Sequence, residues 1–218
     1  MNIQDAYREF LFRVDKLGTN SSQNIEYIQF VALMNKAQLH WADARIKKAE
    51  ATGVLSDETQ QLLKDYEATG QKKENFYKIK LPNDYFHRSR CYAAVKGCDS
   101  TVEGKFVEEG NVGTLLRNAM TKPSVAWEET LVTVFGGHLR IYFDNFEIEK
   151  TLLKYYRHPT PVDLKGYIKS GTPSTDIDLE FNGTNAQEII DLTAKIAAGD
   201  IGDIERLKVL QSHSQEHN

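Results

Sequence analysis

The spacing of apolar residues changes near residue 72, and this change constrains the fold more than any other feature of the sequence. Before it, apolar residues recur every three or four positions, as on one side of an α-helix. After it, they alternate with polar residues, as on one side of a β-strand. We therefore predict an α+β fold in which residues 1–72 are helical and residues 73–157 form an antiparallel β region.

About three helices are predicted in the first region. The first covers residues 3–17 and the second covers residues 22–51, with Ser21 or Ser22 at its N-cap. Ser56 precedes a third helix, because the acidic residues that follow it suit the positive end of a helix dipole. The apolar side of this third helix would consist of Leu62, Leu63 and Tyr66.

The second predicted helix is apolar on two sides. One line of apolar residues includes Met34 and Trp41, and the other includes Ile28 and Leu39. A helix that is apolar over so wide an arc must be covered on more than one side. Packing within the chain and contact with a neighbouring subunit both remain open for the second line. The tryptophans, Trp41 here and Trp127 in the β region, are expected in the core.

The most specific local pattern is a β-hairpin. Two alternating runs, residues 130–135 and 138–143, are joined by two glycines, which can both adopt the positive φ of a type I′ turn. In this register Val134 should pair with Leu139. A final strand would complete an antiparallel meander. The other strands are expected over residues 77–81, 86–95, 101–107 and 148–157.

An irregular segment, residues 158–178, follows the strands and contains three of the five prolines. Its prolines remove backbone donors, and its apolar residues are too few to build a core. We therefore predict an extended interaction loop that reaches a neighbouring subunit. Its expected contact residues are Pro161, Val162, Leu164, Tyr167, Ile168 and Pro173. Residues 179–218 are predicted as C-terminal helices that pack back on the helical region, ending in a polar tail.

The sequence contains no motif of catalysis. Phosphate-binding glycine loops, metalloprotease motifs and nucleophile elbows are all absent from it, so we predict no catalytic residue and no cofactor. The carboxylates of Glu108-Glu109 lie beside a strand, where adjacent side chains point to opposite faces and are usually solvated. His87, Cys91 and Cys98 lack a fourth ligand nearby, which argues against a zinc site.

Charge and hydropathy restrict the partners. A formal net charge of −4 argues against a nucleic-acid binder, so any contact with DNA is expected to be loose or repulsive, and not sequence-specific. No apolar run reaches the roughly 18 residues of a membrane span, and the first residues have an amphipathic pattern rather than that of a signal peptide. We expect a protein of the cytoplasm in which it is made.

Four stretches, which cover well over half of the chain, resemble one structural-protein family of crAss-like and related Bacteroidetes phages. The segment order is also similar, more distantly, to that of the podoviral tail tubular protein A. The stretches are IEYIQFVALMNKAQLHWADARI, LPNDYFHRSRCYAAVKGC, PSVAWEETLVTVFGGHLRIYFDNFEIEKTLLKYYRHP and IIDLTAKIAAGDIGDIERLKVLQSHSQEHN.

This resemblance implies a non-enzymatic head–tail connector of the virion. Its copies would form a homo-oligomeric ring, expected to be a dodecamer, in the neck between portal and tail and around the DNA channel. The portal and the adjacent neck and tail proteins would be its partners, and the host cytoplasm its place of assembly. The resemblance carries over no catalytic residue, and it does not single out one ring of the neck.

Two other classes of function remain open. The first is a phage-encoded adaptor that binds a tail fibre or a host protein, and the second is an enzyme of an unrecognised family. An adaptor would be a monomer with one exposed apolar patch, whereas a ring subunit needs two complementary patches. The mass of the purified protein distinguishes these two classes.

Overall fold

The structure, a computed structural model, describes residues 1–16, 25–54 and 57–200, and these residues confirm the α+β class. None of the helices in this part of the chain is both long enough and apolar enough to cross a membrane. The helices are α1 (Ile3–Lys16), α2 (Tyr27–Thr52), α3 (Asp57–Gln60), α4 (Val112–Arg117) and α5 (Gly183–Asp200), with a short 3-10 helix at Glu109–Asn111. The strands are β1 (Leu63–Ala68), β2 (Gln71–Lys72), β3 (Phe76–Lys80), β4 (Tyr85–Val95), β5 (Thr101–Phe106), β6 (Glu129–Phe135), β7 (His138–Tyr142), β8 (Ile148–Arg157), β9 (Ile168–Lys169) and β10 (Thr172–Pro173).

The chain divides into two compact units. The first contains the described residues of Met1–Gln61 and Pro159–Asn218, and the second is Leu62–His158. Strand β1 begins at Leu63, so the boundary predicted near residue 72 falls too late. Leu63 and Tyr66 pair with β8 instead of lying on a third helix, because long-range strand pairing overrides the local spacing of apolar residues. The predicted cap at Ser56 lies outside the described residues.

Helix α2 begins later than its sequence suggests. It starts at Tyr27, where Glu26 and Gln29 form a reciprocal capping box, and not at residue 22. The caps predicted at Ser21 or Ser22 lie outside the described residues. The helix ends at Gly53, whose left-handed backbone has a φ of 69° and whose N–H donates to the carbonyl oxygen of Ala49.

The core of the first unit lies between α2, α5 and α1, and it contains the predicted tryptophan. Trp41 is 6% exposed, and its ring centroid lies 4.7 Å from that of Phe181. Its Nε1 donates to Glu188 at 2.8 Å, so the one polar atom of the indole is paired. Arg45 donates to the same carboxylate at 2.7 Å. The largest fully buried side chains of this unit are Ile3, Phe10, Phe30, Met34, Ile46, Phe181, Ile189 and Ile190.

The second unit is one eight-stranded sheet in the order β1-β8-β4-β5-β6-β7-β3-β2. The predicted register of the β6–β7 hairpin is confirmed, with Val134 opposite Leu139 and Val132 opposite Ile141. The predicted meander is wrong in its last step, because β8 pairs with β4 and β1 rather than with β7. Strands β5 and β6 run parallel, since α4 and the 3-10 helix between them return the chain to its starting edge.

Trp127 is not a core residue. It is 66% exposed, in a tight turn that Ser124 and Glu129 close with two backbone hydrogen bonds of 2.9 and 3.2 Å. A residue in such a turn is not on the inward face of a strand, so strand alternation could not place it. The core of this unit instead consists of Tyr77, Ile79, Cys91, Ala93, Val95, Val102, Val132, Leu139, Ile141, Ile148, Leu153 and Tyr155.

The two tryptophans allow a matched test of this packing. Replacing Trp41 with Ala should lower the free energy of unfolding by roughly 3–5 kcal/mol, because a buried indole is lost and the Glu188 carboxylate loses a donor. Replacing the exposed Trp127 with Ala should change it by less than about 1 kcal/mol. Urea denaturation measures both values, and equal losses would contradict the assignment of Trp41 to the core.

A glycine in β5 makes the closest approach within the sheet. A Cβ at Gly104 would lie 2.5 Å from Val132 Cγ2 and 3.0 Å from Cys91 Cβ. Gly104→Ala should therefore lower the free energy of unfolding by about 1–3 kcal/mol. Gly113 in α4 has open space around it, so Gly113→Ala should stabilise by up to about 1 kcal/mol. Thermal denaturation of the two variants should give shifts of opposite sign, and an unchanged melting temperature for Gly104→Ala would show that the sheet is looser than described.

Candidate functional site

The segment predicted as an extended loop is a folded part of the first unit. Strands β9 and β10 form a small hairpin whose turn residues, Ser170 and Gly171, have φ values of 48° and 83°. A bridge between Asp163 and Ile177 closes the segment below this hairpin. Residues 168–169 and 172–173 are therefore in strands, which contradicts the prediction that the segment forms no regular structure of its own, while most of residues 158–178 is irregular as predicted.

Polar side chains of this segment accept hydrogen bonds from its backbone N–H groups. Ser174 Oγ accepts the backbone N–H groups of Gly166 at 3.1 Å and Tyr167 at 3.0 Å. Asp176 Oδ1 accepts the N–H of Lys165 at 2.8 Å. Side chains of Ser and Asp commonly satisfy backbone groups in turns in this way, so the segment holds its shape without a longer sheet.

Asn35 of α2 fixes the segment to the helix. Its Nδ2 donates to the carbonyl oxygen of Val162 at 3.0 Å, and its Oδ1 accepts the N–H of Val162 at 2.8 Å. Val162 and Leu164 are only 1% and 3% exposed within the chain. The prediction that a neighbouring subunit buries these two side chains is therefore wrong, because the first unit of the same chain already buries them.

The other four predicted contact residues are at least partly exposed to solvent. Ile168 is 72% exposed, Pro161 and Pro173 are exposed, and Tyr167 is half-buried. A rigidly held segment that exposes a large aliphatic side chain is suited to contact another molecule, since little conformational entropy is lost on binding. These four residues remain candidates for an interface.

Tyr167 lies beside a depression of about 360 Å³, which α1, the start of α2 and the hairpin segment surround. Gly166 packs against the ring of Tyr27 with a φ of 132°, and a Cβ there would lie 2.7 Å from Tyr27 Cδ2. Only glycine fits this position. Tyr7 meets the Tyr27 ring edge-on, with centroids 5.0 Å apart, and donates to the carbonyl oxygen of Ile25 at 2.9 Å.

Helix α2 also exposes apolar side chains beyond this depression. Ile28 is 46% exposed and Leu39 is 39% exposed, about three helical turns apart on one line of the helix. Asn35 lies between them on the same line, so the segment crosses α2 there and leaves apolar residues uncovered on both sides. The second apolar line predicted for this helix is thus exposed in part, while its later member Ile46 is buried.

We define the α2–hairpin surface as Tyr27, Ile28, Leu39, Tyr167 and Ile168. Burial and a 2.5 Å hydrogen bond to Asp163 raise the pKa of Tyr167 to about 12. A neutral phenol in such a position donates a hydrogen bond and packs, and it is a weak acid–base catalyst near neutral pH. The surface therefore offers apolar side chains and a hydrogen-bond donor, which suit contact with another molecule.

The three side chains considered as zinc ligands, and argued against for want of a fourth, form no metal-binding group over the residues that the structure describes. Cys91 is buried and Cys98 is exposed, and both are free thiols. Burial raises the pKa of the Cys91 thiol to about 12, which disfavours the reactive thiolate. Over residues 1–16, 25–54 and 57–200, no three or more His, Cys, Asp or Glu side chains form a group that could hold a metal ion.

No protein-family model matches the chain, and no curated protein matches it. The assignment of a function therefore depends on the surfaces described above and on the resemblance of the sequence stretches.

Several residues of the site were not predicted from the sequence. Asn35 was hidden in a helix pattern, and its partner Val162 is 127 positions away. Ser174, Asp176 and Gly166 lie in a segment of turn-forming residues, and that composition could have indicated internal hydrogen bonds rather than an open arm.

The Asn35 contacts can be tested by hydrogen exchange. Asn35→Ala leaves both backbone groups of Val162 without a partner, so we expect the amides of residues 160–168 to exchange about tenfold faster. His40, an exposed residue of the same helix, provides the control variant His40→Ala, which should leave these rates unchanged. Mass spectrometry of peptides from this segment measures the exchange. Equal rates in wild type and Asn35→Ala would show that Asn35 does not hold the segment.

Proposed function

We propose that this chain is a structural subunit of the neck of a tailed bacteriophage. In this proposal its copies assemble into a ring between portal and tail, which joins head to tail and surrounds the DNA channel. The resemblance of the four sequence stretches supports the setting. The structural observation that supports an assembling role best is the α2–hairpin surface, where Ile168 is 72% exposed on a segment that is fixed by hydrogen bonds.

Removal of apolar side chains from water would stabilise such an assembly. Ile28, Leu39 and Ile168 expose 46%, 39% and 72% of their side chains on one unit of the chain. Large apolar residues that stay exposed on the same unit of a folded protein are suited to contact with another protein. A neighbouring copy that covers these residues gains about 25 cal/mol for each Å² of apolar surface removed from water.

The geometry of a ring sets a further requirement. A contact between unlike surfaces of identical subunits closes a ring when the rotation between neighbours divides a full turn. The α2–hairpin surface is one of the two surfaces that such a contact needs. The resemblance suggests twelve copies, and the same subunit would contact the portal or another neck protein above and below the ring.

The proposal is tested by the mass of the full-length protein in solution. Mass photometry over a concentration series should show a species whose mass is a multiple of 24.8 kDa, with rings visible by negative-stain electron microscopy. Ile168→Asp should shift this species to the monomer, because an aspartate cannot be buried at an apolar contact without a partner. We expect the apparent dissociation constant to increase at least about tenfold.

Val54 supplies a matched control, since it is also an aliphatic residue of the first unit that is 72% exposed. It lies beyond the end of α2 and outside the α2–hairpin surface, so Val54→Asp should leave the assembly unchanged. A wild type that stays at 24.8 kDa at every concentration, and also with its head and tail present, would contradict the ring and favour a monomeric adaptor.

A further inference from the structure

The second unit carries a row of basic side chains that the sequence does not show. In the β3–β7 pair, Lys78 lies opposite Arg140 and Lys80 lies opposite His138. Residues directly opposite each other share a face of the sheet, and so do residues two positions apart on one strand. Lys78, Lys80, His138 and Arg140 therefore lie on one face, opposite to the core residues Tyr77, Ile79, Leu139 and Ile141. We call these four residues the basic strip.

Like charges directly opposite each other destabilise a sheet. Most other lysines in the strands of this unit form ion pairs with acidic residues. Such pairs are Lys64–Asp84, Lys105–Glu129, Lys150–Glu67 and Lys154–Asp65. By contrast, neither Lys78 nor Lys80 has an ion-pair partner in the part of the chain that the structure describes. The strip therefore carries positive charge that the fold does not neutralise.

Arg140 is held in place at one end of the strip. It forms an ion pair with Glu109, which also accepts a hydrogen bond from Thr133 Oγ1 at 2.6 Å. Its guanidinium carbon lies 4.5 Å from the ring centroid of Phe135 and 5.2 Å from that of Phe76. Cation–π contacts of this kind fix the guanidinium. Glu109 neutralises one positive charge, which leaves the charges of Lys78 and Lys80 open to an outside anion.

We propose that the basic strip binds phosphate groups of duplex DNA. Two residues along a strand advance about 6.6 Å. Because phosphates of one DNA strand follow each other at an axial rise of about 3.4 Å and also turn around the helix axis, Lys78 and Lys80 can contact separate phosphates of one strand. The choice of duplex DNA rests on the proposed function, because that is the polyanion that a neck ring surrounds.

The contact is not sequence-specific and depends strongly on salt. Phosphate contacts carry no information about base sequence, and neutralising them releases counterions. The whole chain has a net charge of −4, so its long-range field repels DNA and the attraction is confined to the strip. A ring that repeats the strip around its channel would multiply weak contacts by effective concentration.

The test uses the full-length protein and a fluorescein-labelled DNA duplex, with binding measured by fluorescence anisotropy. The double variant Lys78→Gln/Lys80→Gln should bind about tenfold more weakly near 50 mM salt. The slope of log affinity against log salt should fall by about 0.9 for each lysine removed. Thermal denaturation of the variant should give an equal or higher melting temperature, because like charges opposite each other are removed.

The control is Lys105→Gln/Lys150→Gln, which changes the net charge equally at two exposed lysines with acidic partners. It should change the affinity by less than about twofold. Equal losses in the two double variants would overturn the proposal, since only net charge would then matter. A wild type that does not bind the duplex but binds polyglutamate would also overturn it, and would identify the strip as a surface for an acidic protein.

The outcome is separable from the proposed ring. The mass of each sample is measured alongside its anisotropy. A protein that forms rings but binds DNA no better than Lys78→Gln/Lys80→Gln contradicts the basic strip alone. A protein that binds DNA through the strip and stays monomeric supports the strip and contradicts the ring.

Discussion

Strand β8 holds the second unit together, because it pairs with β4 on one side and with β1 on the other. Without it, β1 would have no partner strand in the sheet. Its inward side chains Leu153 and Tyr155 are 1% and 3% exposed, and the Tyr155 hydroxyl donates to Asp84 at 2.8 Å. Burial and this hydrogen bond raise the pKa of Tyr155 to about 12, while Lys64 lowers the pKa of Asp84. The strand thus joins an apolar core to a polar network at the sheet edge.

The strands that could be predicted are those that residues close in the sequence determine. Two glycines and alternating neighbours determine the β6–β7 hairpin, and both its position and its register agree with the structure. Strand β8 was also placed correctly, although its burial alternates only over residues 151–155. Strand β1 was missed because its stability comes from β8, about ninety residues later in the chain, while its local spacing fits a helix. The same long-range pairing hid the strand order, including the parallel β5–β6 contact.

The two candidate surfaces show the same division. The sequence indicated that α2 has too much apolar surface for one neighbour, and Ile28 and Leu39 are exposed as that argument allows. It also indicated the segment after the sheet, but it could not reveal that Asn35 binds Val162 across 127 positions. The basic strip depends on a strand register that joins Lys78 to Arg140, which no local pattern encodes. In each case the residue types indicated a surface from the sequence, but the sequence did not show which residues contact each other.

In this account, the α2–hairpin surface of the first unit serves assembly, and the basic strip of the second serves DNA. The central claim is that the chain is a repeated structural part of a virion. The most direct measurement is its copy number in purified particles of the phage that encodes it, by quantitative mass spectrometry against the portal protein. The account predicts a fixed ratio that corresponds to a complete ring, expected at about twelve copies in each particle. Particles that lack the protein, or that hold a single copy, would contradict it.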